Sequence, residues 1–83
     1  MPEIKVIFSD GSIKFFHEEQ TFQTKIFNGN KLVDGEQFGL WRNENRLMVP
    51  SFLTIVKHSD FFYDVENPEE IFESSTVVSC EEV

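Results

Sequence analysis

The side chains able to do chemistry are few. His17, His58 and Cys80 are the chain's imidazoles and its one thiol. Zinc sites announce themselves by close pairs of Cys and His, and these three stand far apart with no paired spacing. Nucleophilic catalysis asks a Ser, Cys or Thr to be activated by a neighbouring base. Cys80 with His17 or His58 supplies the residue types, yet no feature indicates a lowered thiol pKa, and a cysteine in a strand commonly serves as a small apolar side chain. The carboxylates Asp64, Glu66, Glu69, Glu70 and Glu73 share one stretch but lack the glycine-containing loop of an EF-hand. Paired carboxylates do glycosidase or nuclease work inside a cleft that excludes water, which a chain of 83 residues rarely builds. There is no GxGxxG, P-loop or nucleophile elbow, and the glycines at 11, 29, 35 and 39 are read as turns or a strand bulge. The residues therefore predict a non-catalytic protein with no metal site and no cofactor.

Charge then says what kind of partner to expect. The net charge is −8, and residues 1–59 carry as many acids as bases. The whole excess lies in residues 60–83, where Asp60, Asp64, Glu66, Glu69, Glu70, Glu73, Glu81 and Glu82 face no Lys or Arg in sequence. A one-signed field of this kind repels phosphate backbones and attracts basic surfaces. A β-barrel nucleic-acid binder would stack bases on Phe16 and Trp41 beside Lys14, Arg42 and Arg46, but the accumulated positive charge it needs is missing, so direct nucleic-acid binding is not expected.

Aromatic content is the other surplus: ten Phe, Trp41 and Tyr63 make 14% of the chain. Most of these rings belong in a core. Phe15 and Phe16, and Phe61 and Phe62, are adjacent, so within strands each pair points to opposite faces. Exposed aromatics within a charged rim are the usual anatomy of a protein interface. The reading that follows is a small acidic protein-interaction or accessory module. Phe16, Trp41 and Phe62 are its aromatic anchor candidates, and Glu66, Glu69, Glu70 and Glu73 its acidic ones. The partner is another protein with a basic surface, or a second copy paired along a sheet edge. The alternative is an acidic inhibitor of the phage or mobile-element type that mimics nucleic acid and blocks a nucleic-acid-binding protein. A lone cysteine, no N-x-Ser/Thr sequon, no long apolar run and a start without a signal-peptide pattern predict a cytoplasmic protein with no membrane contact.

These residues must be positioned by short strands. Asp10-Gly11 between Ile4–Phe8 and Ser12–Phe16 predicts a two-residue hairpin pairing Phe8 with Ile13, Val6 with Phe15 and Ile4 with His17. Thr21–Phe27 and Lys31–Val33 flank Asn28-Gly29 in a second hairpin, and Asp34-Gly35 predicts a further turn. A third hairpin is expected around Asn43-Glu44-Asn45. Pro50 opens a short helix over 50–58, with Lys57 and His58 at its negative end; the β-branched Thr54, Ile55 and Val56 argue instead for a strand over 53–57. Phe61-Phe62-Tyr63 reads as a strand, Asn67-Pro68-Glu69-Glu70 as a capped helix start, residues 76–80 as a closing strand and residues 81–83 as a frayed tail. The predicted architecture is one domain over residues 1–83, β-rich α+β. It is a single small antiparallel sheet or half-open barrel of five to seven short strands with one or two short helices.

Overall fold

The computed structural model describes residues 2–83. In chain order the elements are β1 (Glu3–Phe8), β2 (Ile13–His17), β3 (Thr21–Asn28), β4 (Lys31–Gly39), α1 (Val49–Lys57), β5 (Phe61–Asp64), β6 (Phe72–Glu73) and β7 (Val77–Glu82), with one 3-10 turn at Ser74–Thr76. The β-rich α+β class and a count of short strands between five and seven are as the sequence predicts. The strands divide between two antiparallel sheets, in the orders β2-β1-β7 and β4-β3-β5-β6.

The core is largely a set of phenylalanines drawn from both sheets and the helix. Phe8, Phe16, Phe22, Phe52, Phe62 and Phe72 form one chain of ring contacts with centroids 5.1–5.8 Å apart. Several of these pairs meet edge-on, the arrangement the ring quadrupole favours. Ile4, Val6, Leu40, Met48 and Ile55 fill the space around them.

The first hairpin forms, but one residue out of the predicted register. Ile4 faces Phe16, Val6 faces Lys14 and Ile7 faces Ile13. The cause is the loop, which holds three residues rather than two. The Phe8 N–H donates to the Ser12 carbonyl, the Gly11 N–H donates to the Phe8 carbonyl, and only Gly11 has positive φ. This is a type I turn closed by a left-handed glycine, not the two-residue loop that needs positive φ at both centres. A slip of one residue moves a strand's side chains to the other face, so Phe16 enters the core and Phe15 leaves it.

Other expectations are corrected in the same physical terms. Asp34-Gly35 makes no turn; β4 runs through it with a bulge opposite Thr24, where Thr24 Oγ1 donates to the Glu36 carbonyl at 2.6 Å. A Cβ on Gly35 would lie 2.6 Å from that hydroxyl, so glycine is required by close approach. The third hairpin is absent. Asn43 and Arg46 close a turn with Arg46 at φ 62°, but no ladder extends from it because Leu40 and Met48 are drawn into the core. The stretch 50–58 is helical, as α1, and buries Phe52 and Ile55 together. Asn67–Glu70 forms a turn rather than a helix start, since Phe72 must return at once to pair with Phe62. Residues 81–82 are not frayed: β7 pairs with β1 through Glu82, and the Val83 N–H donates to the Glu3 carbonyl.

Candidate functional site

The aromatic anchor candidates separate cleanly. Phe16 is 4% exposed and Phe62 is fully buried, so both are core residues with no surface to offer a partner. Trp41 is 62% exposed. Its ring lies against the backbone of Gly39, where an added Cβ would come within 2.8 Å of the indole, and its N–H of the main chain donates to Ser51 Oγ. Trp41 is therefore a held platform at the end of β4, not a loose side chain. Arg42 beside it donates to Glu18 Oε2 at 2.9 Å and is already neutralised.

Two exposed aromatics were hidden from the sequence by the register of the strands. Phe15 is 51% exposed and shares the outer face of its sheet with Lys5, Ile7 and Ile13. Phe27, 57% exposed, leans on the half-buried Phe61 across the outer face of the second sheet, with Leu32 opposite it. The adjacent pairs in β2 and β5 do split between inside and outside, as alternation requires, but the outward members are Phe15 and Phe61. The loop closure at Gly11 was the missing signal for the first of these.

The acidic third is mostly spoken for. Asp60 accepts the Phe27 N–H at 2.8 Å, and Asp64 accepts from Gln20 Nε2 and from the Glu66 N–H. Glu70 pairs with Lys14 at 2.7 Å and Glu81 with Lys5 at 3.9 Å. Glu82 reaches the start of α1, where its carboxylate accepts the N–H groups of Met48 and Val49 at 2.7–3.0 Å. These donors have no partner within the helix, and Met48, the capping residue, offers no side-chain acceptor of its own. Of the four acidic candidates, Glu70 is thus an ion-pair member. Glu66, Glu69 and Glu73 point to solvent with no side-chain partner among the described residues.

The imidazoles and the thiol stand apart. Burial pushes the Cys80 thiol up, and the Glu82 charge adds to the effect, so the thiol stays protonated. His17 Nδ1 lies 2.8 Å from the Glu18 carbonyl and His58 Nδ1 lies 2.8 Å from the Thr54 carbonyl at the end of α1. No group of three or more His, Cys, Asp or Glu side chains among the described residues could hold a metal ion. A groove of about 400 Å³ runs between α1 and the β3–β4 hairpin, floored by Ile26, Gly35 and Phe38 and rimmed by Glu36, Thr54 and His58. No helix among the described residues is long and apolar enough to cross a membrane. Searches of protein-family models, of curated proteins and of solved structures each return no match to this chain.

Proposed function

We propose that this chain is a non-catalytic protein-interaction module whose contact surface is built from the outward aromatics of the two sheets and Trp41. The observation that carries the reading is that Phe15, Phe27 and Trp41 are each more than half exposed. Six other phenylalanines already complete the core, so these three are not needed to fill it. Exposed rings lose hydration cost only when something covers them, and Trp, Tyr and Phe are the side chains enriched where partners do so. Rings already held, as Trp41 is against Gly39 and Phe27 against Phe61, bind with little loss of side-chain freedom.

The nucleic-acid mimic is the second reading, resting on the net charge of −8. Five of the eight acids in residues 60–83 serve internal contacts, and the remaining Glu66, Glu69 and Glu73 give a sparse array for copying a phosphate backbone. Affinity capture at low and high salt separates the two. Aromatic contacts hold their partner at high salt, whereas a charge mimic releases it. The expected result is a partner retained at both salts and lost from the Phe15→Ser, Phe27→Ser and Trp41→Ser variants. Retention by all three variants, with loss on Glu66→Gln, Glu69→Gln and Glu73→Gln, would establish the mimic instead.

A further inference from the structure

We infer that the free edge of β2 is the docking strand of this protein, and that it takes an extended partner segment with basic residues at both ends, added as a fourth strand. This deepens the interaction reading above and rests on it. In the ladder with β1, the Phe8 N–H reaches the Ser12 carbonyl, so Ser12, Lys14 and Phe16 turn their main-chain groups inward. Ile13, Phe15 and His17 turn theirs outward, to the side where no strand lies among the described residues. His17 is closed off: Gln20 Oε1 accepts its N–H at 2.7 Å, and the Gln20 N–H donates to its carbonyl. Ile13 and Phe15 keep both N–H and C=O open among the described residues, and the side chains of these two residues are about half exposed.

The other edges carry the devices that discourage pairing. β4 is broken by the bulge at Gly35 and Glu36 and lined by Lys31, Asp34 and Glu36. β7 is bulged where Ile7 and Phe8 meet it, and ends in Glu81 and Glu82. β6 is two residues long. β2 has no proline and no bulge, and its one lysine is turned to the inner face and held by Glu70. An open edge of this kind is how sheets recruit a strand from another chain.

Charge chooses the occupant. The free edge runs between Asp10 at its start and Glu19 at its end, the neighbouring Glu18 being paired with Arg42. The Asp10 carboxylate is held below its usual range by the Ser12 hydroxyl and N–H, so it is charged throughout the neutral range. Glu19 is exposed with no side-chain partner among the described residues. A second copy would bring the same acids and a second charge of −8 to this edge. A segment with alternating apolar residues and a Lys or Arg at each end meets Ile13 and Phe15 in the middle and an acid at each end.

The test uses three short synthetic peptides of alternating Val and Thr: one with Lys at both ends, one with Glu at both ends, and one with Lys ends and a central Pro. Amide hydrogen exchange of the whole chain is followed by NMR. The Lys-ended peptide is expected to slow exchange at Ile13 and Phe15 about tenfold or more, with the Glu-ended and Pro-containing peptides without effect. The variant Phe15→Pro removes the outward donor together with the ring, at a position where a strand edge tolerates proline, and is expected to keep the fold and lose the protection at Ile13, the one of the two amides it retains. Ile13→Lys is the second variant, for the case in which Phe15→Pro fails to fold, and should lose it too. Unchanged exchange at Ile13 and Phe15 with saturating Lys-ended peptide overturns the proposal. So does protection of the same two amides without peptide in a dimer seen by ultracentrifugation, which would make the second copy the occupant. A natural partner retained by Phe15→Pro but lost from Phe27→Ser and Trp41→Ser overturns the edge and leaves the interaction module standing on those two rings; absence of any retained partner removes the module while the peptide titration still decides the edge.

Discussion

Single carboxylates on this surface differ in what they do, and two of them make this measurable. Glu82 reaches across from β7 to the unpaired N–H groups that open α1, and its charge meets the positive end of the helix. Glu82→Gln should cost about 1 kcal/mol in urea unfolding, within the range of roughly 0.5–2 kcal/mol for a lost helix cap. The neighbouring Glu81→Gln, whose pair with Lys5 is long and exposed, should cost roughly nothing to 1 kcal/mol. Asp10 works through protonation. Its carboxyl lies below its ordinary value of 3.8 because the Ser12 hydroxyl, then the Ser12 N–H, bond the charged form. A folded pKa lower than the unfolded one means a contribution present above that ordinary value and lost as pH falls through the folded pKa. Stability curves of the chain and of Asp10→Asn should therefore converge below about pH 4, the range where an unperturbed Asp takes up its proton. Neither role was legible beforehand. Sequence alone marks Asp10 as a turn former and Glu82 as tail, because the partner of each is fixed by loop geometry or by a strand pairing distant in sequence.

At the scale of elements, strands and turns were legible where local chemistry decides them, and misread where a distant contact does. The helix at Val49–Lys57 follows from Pro50 and the spacing of Phe52 and Val56. The second hairpin follows from Asn28-Gly29. Gly11 marks a real turn with the wrong geometry, since it closes a three-residue loop, whereas the turn expected at Asp34-Gly35 does not form, because Gly35 lets a continuous strand bulge over Thr24. That single extra loop residue decides which of Phe15 and Phe16 is inside, and with it the aromatic part of the candidate site. Substitution tests the register directly. Phe16→Ala should cost about 3–5 kcal/mol, as for a ring removed from a packed core. Phe15→Ala should stay within about 0.5 kcal/mol of the parent, as for a surface position. Thermal or urea unfolding of the pair reads the difference, and the predicted two-residue loop would give the reverse order.

For the molecule as a whole, the charge asymmetry seen in sequence is divided by the fold into acids that hold elements together and acids that do not. Asp60, Asp64, Glu70 and Glu82 lie at joints between strands or between strand and helix. Glu66, Glu69 and Glu73 add only to a net charge of −8, which repels itself. Replacing those three with Gln should leave the fold intact and raise the melting temperature slightly at low salt, with the gain vanishing at high salt as screening removes the repulsion. A lowered melting temperature at both salts would show that these acids have contacts of their own. Composition revealed the excess, but only the fold shows which carboxylates it concerns.

The pairing of β1 with β7 also sets a tempo. Ile4 meets Glu82 and Val6 meets Cys80, so the first strand finds one of its two neighbours only after almost the whole described chain has been brought round. Closing so large a loop gains nothing until the pairing is made, and such long-range ladders belong to the slow end of folding, about milliseconds to seconds. Until it closes, Ile4, Val6 and Phe8 face a half-built core. The β1–β2 hairpin can form early, and during that interval it has two bare edges instead of one.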